Sequence, residues 1–256
     1  MKMFERVRAA VEALKNLSSV RGYRFGNPLL STEVYNEGWM LRLLVAKLHD
    51  TREGLVKALA DPGENAAVQT IARLSRRGWC SEGELFPTFK GEGTTKADGI
   101  VGNITPRLLG SGRNTKWGFE CESGEFRVLE AKMKSPLSAG TKNLKNYDQA
   151  ARYVGCIAMM EARHLNKTHG GLIVLGPESK RGNAKQKIEG AKTTISSLDA
   201  SPRNREDFGS AKSLISGVVE RSVFLSWDHA LNALPADDDK AYICSFYETA
   251  KKMNGL

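Results

Sequence analysis

The stretch FRVLEAKMKSPLS, residues 126–138, runs apolar and then stops at Glu130 and Lys132 with one small residue between them. In an extended chain alternate side chains share a face, so Glu130 and Lys132 project together while Ala131 points away. Burying such a pair adds little stability, because desolvation offsets the attraction. A solvated ion pair on an edge strand would account for the spelling, and the same D/E-x-K pattern recurs at Glu178–Lys180 and Asp238–Lys240. Only the first instance ends an apolar β run, and that context points to chemistry.

A second acid, Asp98, lies in TTKADGIVG just before the apolar Ile100 and Val101. An Asp-Gly turn would explain it. A carboxylate on a short strand beside the one bearing Glu130 would instead meet that residue across the sheet. Two carboxylates sharing space repel, and a divalent cation relieves the repulsion. Oxygen ligands of this kind suit Mg²⁺ or Mn²⁺.

With these residues in place the chain resembles the PD-(D/E)XK (restriction-endonuclease-like) nuclease superfamily. The matching pieces are Asp98, then Glu130-Ala131-Lys132, then YDQAARYV, in which Gln149 and Tyr153 match the QxxxY signature of the RecB-like branch. Ala97 stands where the family name has proline, and the interval from Asp98 to Glu130 is long. The resemblance implies a metal held by Asp98, Glu130 and the Ala131 carbonyl, with Lys132 holding the attacking water or the scissile phosphate. It implies that Gln149 orients the lysine or a water, and that Tyr153 either contacts nucleic acid or packs. It also implies an acid on the helix before the first strand, for which Glu33 and Glu37 are the candidates. Glu33 in a first turn is explained by the helix dipole alone. Glu37 begins a core-facing stripe with Leu41, Leu44 and Leu48, and is the preferred one.

The implied activity is metal-dependent hydrolysis of phosphodiesters, in DNA by the resemblance alone, with RNA left open. The alternative is a non-catalytic nucleic-acid-binding or assembly subunit that keeps the fold. Lys134, Lys142, Lys145 and Arg152 surround the expected site and could each meet a phosphate, although a solvated loop explains any single lysine equally well. A homo-oligomer or a larger nucleoprotein complex is compatible with the sequence. So are roles in defence, restriction or repair.

The elements that must position these groups follow from pattern. Helices are expected at 3–17, from Ser31 to about Asp50, at 64–77, from about Lys142 to Leu165, and at 240–253. Short strands are expected around GELFPTF and TTKADGIVGNI. Residues 102–116, with three glycines and a proline, read as a loop. WGFECESGEFRVLEAK then reads as a hairpin turning at Ser123-Gly124. GGLIVLG and RSVFLSW are further strands, DHALNAL is a short helix, and 178–213 reads as exposed polar helix and loop. The order of helix, three strands, helix and strand makes one α/β domain over 1–256. Its nuclease-like core, 31–234, has a central mixed sheet flanked by helices, with peripheral helices at both ends.

The whole chain agrees. It has 256 residues, 38 Lys plus Arg against 29 Asp plus Glu, and a net charge of +9, a balance that favours polyanionic partners. Cys80, Cys121, Cys156 and Cys244 form no CxxC pair and read as reduced thiols of a cytoplasmic protein. No apolar run is long enough to span a bilayer. The four histidines make no HxxxH or HxH pair, and no P-loop, G-x-S-x-G elbow or GxGxxG appears.

Overall fold

The computed structural model describes residues 2–19, 35–52, 54–92, 95–109, 116–121, 123–140, 144–164, 167–198, 200–202 and 205–256. Its centre is the strand that carries the Glu–Lys pair. Strand β7, Gly124–Ala131, is buried on both faces over its last six residues. One face, Leu129 and Ala131, joins a core cluster with Leu41, Val68, Ile173, Trp227 and Phe246. The other, Phe126 and Val128, joins a second cluster with Ile100, Val154, Ile157, Leu172 and Ile188. A strand covered on both sides reads as a nearly continuous apolar run, and Glu130 interrupts it.

β7 is the third of five strands in the main sheet, ordered β1-β4-β7-β8-β9. These are β1 (Trp79–Ser81), β4 (Gly99–Gly102), β7, β8 (Thr168–Gly176) and β9 (Val223–Ser226). The first three are antiparallel neighbours and the last three are parallel. The sheet is therefore mixed.

Helices cover both faces. On one side lie α1 (Met3–Ser19), α2 (Glu37–Asp50), α3 (Pro62–Ser75), α7 (Trp227–Asn232) and α8 (Asp238–Asn254). On the other lie α4 (Gln149–Arg163), α5 (Arg181–Ser197) and α6 (Arg205–Glu220). The caps are local in origin: Asn36, Asp61, Asp148, Ser226 and Asp237 each accept a backbone N–H in the first turn of the helix that follows. No helix among the described residues is long and apolar enough to cross a membrane.

Several expectations change. Residues 102–116 are not a loop throughout: β5 (Thr105–Leu109) and β6 (Lys116–Glu120) pair with each other. With β2 (Glu84–Leu85) and β3 (Thr95–Lys96) they form a second sheet, ordered β3-β2-β6-β5. Hence WGFECESGEFRVLEAK is not a hairpin, because β6 and β7 belong to different sheets. Gly124, at φ +88°, carries the chain across in a backbone conformation that side chains disfavour.

The segment 178–213 is also less peripheral than its composition implies. α5 buries Ala184, Ile188, Ala191 and Ile195 on one stripe, and α6 buries Ala211, Ile215 and Val218. Alanines at helical spacing make a narrow apolar face that a polar average hides. The helix after β7 starts at Gln149, where Asp148 caps it, and not at Lys142. The helix of residues 37–50 is capped by Asn36; Ser31 and Glu33 lie outside the described residues.

Candidate active site

The β4–β7 register builds the site. Gly99 pairs with Leu129 in the antiparallel ladder, so Asp98, one residue earlier, falls opposite Glu130, one residue later. Asp98 Oδ2 then accepts the backbone N–H of Ala131 at 2.8 Å. Burial pushes the Asp98 carboxyl above the usual aspartate range, and Glu37 adds to the effect against the opposing pull of that N–H and of Lys132. Glu37, the first residue of α2, thus sits within electrostatic reach of the pair. It is the partly buried end of the stripe whose Leu41, Leu44 and Leu48 are fully buried.

Glu130 is only 2% exposed. Its Oε1 accepts from Lys132 Nζ at 2.5 Å and from Gln149 Nε2 at 2.5 Å; its Oε2 accepts from the Tyr153 hydroxyl. Burial, followed by the repulsion of Asp98, pushes the Glu130 carboxyl up to about 7 despite Lys132 and Tyr153. Burial works against the Lys132 ammonium, but Glu130, Asp98 and Glu37 outweigh it and hold its pKa above the ordinary lysine range. These are perturbations of the kind that cluster at functional sites.

Gln149 and Tyr153 are one helical turn apart, so both face the strand end. Gln149 also makes a two-way clamp with Ser138: its backbone N–H donates to the Ser138 carbonyl, and its Oε1 accepts the Ser138 N–H, each at 3.1 Å. That clamp ties the segment after β7 to the start of α4. Tyr153 is buried, with its hydroxyl oxygen also 2.7 Å from the Lys96 carbonyl, a second acceptor for its single proton. It holds the carboxylate and cannot offer its ring to a base.

The expected basic residues divide. Lys134 and Lys145 are exposed, and Lys142 lies outside the described residues. Arg152 turns inward, donating to Thr95 Oγ1 at 2.7 Å and lying 3.8 Å from the buried Glu92. It braces α4 against Thr95 and Glu92. The other two D/E-x-K spellings sit on a short 3₁₀ turn, Glu178–Lys180, and in the first turn of α8, where the intervening residue does not set acid and lysine on one strand face.

Sequence order missed one positioning residue. Trp227, fully buried, donates its indole N–H to the carbonyl of Lys132 at 2.8 Å, while the Lys132 N–H bonds Leu175. The backbone that carries the lysine is thereby pinned on both sides. Its only signal in the sequence is a tryptophan directly after an apolar strand. A second titratable group also forms at the tips of β8 and β9: Glu64, Glu178 and His229 have ligand atoms within 4.8 Å of one another. Arg181 already ion-pairs with both carboxylates.

Asp98 and Glu130 offer only oxygen ligands, the type that hard divalent cations take, whereas the one group of three acid or histidine ligand atoms within 4.8 Å of one another among the described residues is Glu64, Glu178 and His229. No protein-family profile, curated protein or solved structure matches the chain.

Proposed function

We propose that the chain is a metal-dependent nuclease that hydrolyses DNA phosphodiesters, built on a restriction-endonuclease-like core. One observation carries the reading. Two carboxylates and one lysine, Asp98, Glu130 and Lys132, meet at the paired ends of β4 and β7 with Glu37 in electrostatic reach, and Glu130 is buried where its charge is disfavoured. Packing has no use for such an arrangement, whereas phosphoryl transfer needs oxygen ligands beside a cation. The order of elements around the main sheet, helices, three antiparallel strands, helix α4 and the parallel β8, supports the same reading.

Asp98, Glu130 and the Ala131 carbonyl would hold the Mg²⁺ or Mn²⁺, with Glu37 nearby. Such an ion, when bound, lowers the pKa of an attached water and offsets charge on the phosphate. Lys132 presents its ammonium to the attacking water or a phosphate oxygen, held in place through Glu130 and through the Trp227 bond to its carbonyl. Gln149 fixes the Glu130 oxygen that the lysine shares.

A second reading, a nucleic-acid-binding subunit without catalysis, is favoured by one feature: Lys132, Gln149 and Tyr153 already satisfy Glu130. Incubation with closed circular and linear DNA, in Mg²⁺, Mn²⁺ or EDTA, separates the two. Metal-dependent cutting lost in Glu130→Gln and Lys132→Ala supports the enzyme. Binding without cutting in any metal supports the subunit.

A further inference from the structure

The C-terminal turn of α8 stands at the same edge of the molecule as the catalytic groups. Asn254 Nδ2 donates to the carbonyl of Tyr35 at 3.3 Å, two residues before Glu37. Above that bond the Tyr35 ring lies 4.9 Å from that of Phe246, centroid to centroid. On the other side of the turn, a Cβ built on Gly255 would lie 3.8 Å from Lys134 Nζ, and Lys134 follows Lys132 by two residues. The turn is therefore bracketed by the entry to α2 and the exit from β7, the two segments that deliver Glu37 and Lys132.

Its charge is positive. Lys251 and Lys252 close α8, and Lys134 stands against them. Lys134 and Lys252 are exposed and make no ion pair with a described residue; Lys251 pairs with Glu248 at 2.6 Å. Two of the last helical carbonyls, which would give a helix end its negative character, are consumed by the cap. The Leu256 N–H bonds Lys251, and the Gly255 N–H bonds Lys252, with Gly255 in the left-handed conformation at φ +68°. The ammonium groups set the sign of this surface.

Resting on the nuclease reading, we propose that Lys134, Lys251 and Lys252 are the backbone contact of the nucleic acid, taking phosphates of the strand as it passes the Glu37–Lys132 edge. Point charges on long stems suit sequence-independent phosphate contact. The surface assigns this role to the end of α8, and takes it from Arg152, which faces inward.

Binding of fluorescein-labelled single-stranded and duplex DNA is measured by anisotropy in EDTA, so that nothing is cut, from 50 to 400 mM salt. The K134Q/K251Q/K252Q variant is compared with K2Q/K57Q/K192Q, which loses the same charge from other elements. The first variant is expected to bind about tenfold or more weakly, with a salt slope smaller by roughly 2–3. The second is expected to stay within about twofold of wild type, and both to keep the wild-type melting temperature. Equal losses in the two variants, or no loss in the first, overturn the assignment of this surface. A wild-type protein that binds neither DNA overturns the nucleic-acid reading itself, a result distinct from the other two.

Discussion

The hydroxyl of Tyr153 is hydrogen-bonded both to Glu130 and to the Lys96 carbonyl, with one proton to give. When Glu130 is ionised the proton belongs to the carboxylate, and the carbonyl loses its donor. When Glu130 is neutral its own proton can bond the phenol oxygen, freeing the phenol to donate to Lys96. Burial and the neighbouring Glu130 both hold the phenol itself neutral, with its pKa raised.

Tyr153→Phe should therefore destabilise the protein more at pH 8 than at pH 5.5. The Tyr153 hydroxyl favours the ionised form of Glu130, so by linkage its removal costs more where that carboxylate is charged, by on the order of 1 kcal/mol. Chemical denaturation at the two pH values checks this. An equal loss at both would mean that the hydroxyl serves Lys96 alone.

Metal-free stability should fall as pH rises from about 4.5 to about 7. Glu130 ionises near its ordinary value of 4.5 when unfolded and near 7 when folded, so in that window the folded state binds more protons and rising pH removes stability. The full effect is on the order of 3 kcal/mol at most, and Asp98, also raised, acts in the same direction. Carboxylates with lowered pKa values, such as Asp50 and Glu125, lose stability only below the window. Raised lysines such as Lys47 lose it only above. Glu130→Gln should flatten the dependence, and urea titrations in EDTA would show it.

Asp98→Asn should stabilise the metal-free protein by on the order of 1 kcal/mol, since it removes one charge from a crowded, partly desolvated cluster. Its amide oxygen can still accept the Ala131 N–H. Adding Mg²⁺ or Mn²⁺ should raise the melting temperature of wild type, because a ligand for the folded state alone shifts the equilibrium. The variant should gain much less. Identical metal responses would remove Asp98 from the ligand set.

Arg152 and Lys145 should behave oppositely. Arg152→Gln loses the bond to Thr95 and a cation beside buried Glu92, and should lower stability by roughly 2 kcal/mol. Lys145→Gln, exposed, should leave stability within about 0.5 kcal/mol. Thermal melts decide it. A stable Arg152→Gln with weakened DNA affinity would return that arginine to the substrate surface.

The legible part of the site was local. Glu130, Lys132, Gln149 and Tyr153 stand at offsets that a strand or a helix turns into shared faces, so type and spacing sufficed. Asp98 needed only the strand that follows it. The orientation of Arg152 was not legible, because a basic residue on a helix gives no sign of which neighbour it meets, and Glu92 is distant in sequence. Trp227 was hidden for the same reason. β5 and β6 were obscured by turn formers that here lie inside strands, Pro106 in β5 and Gly118 in β6. The alanine stripes of α5 and α6 were diluted by lysines.

The excursion through β5 and β6 leaves the main sheet at Gly102 and re-enters it at Gly124, beside its point of departure, since Gly102 pairs with Phe126 and the Asn103 N–H bonds the Glu125 carbonyl. The length of that excursion is thus uncoupled from the separation of Asp98 and Glu130. Doubling it would add only about 0.6 kcal/mol of closure entropy, while the ladder from Gly99 to Gly102 would keep its alignment. Mutational drift, insertion or trimming in this arm can therefore reshape whatever it touches without moving the two carboxylates apart.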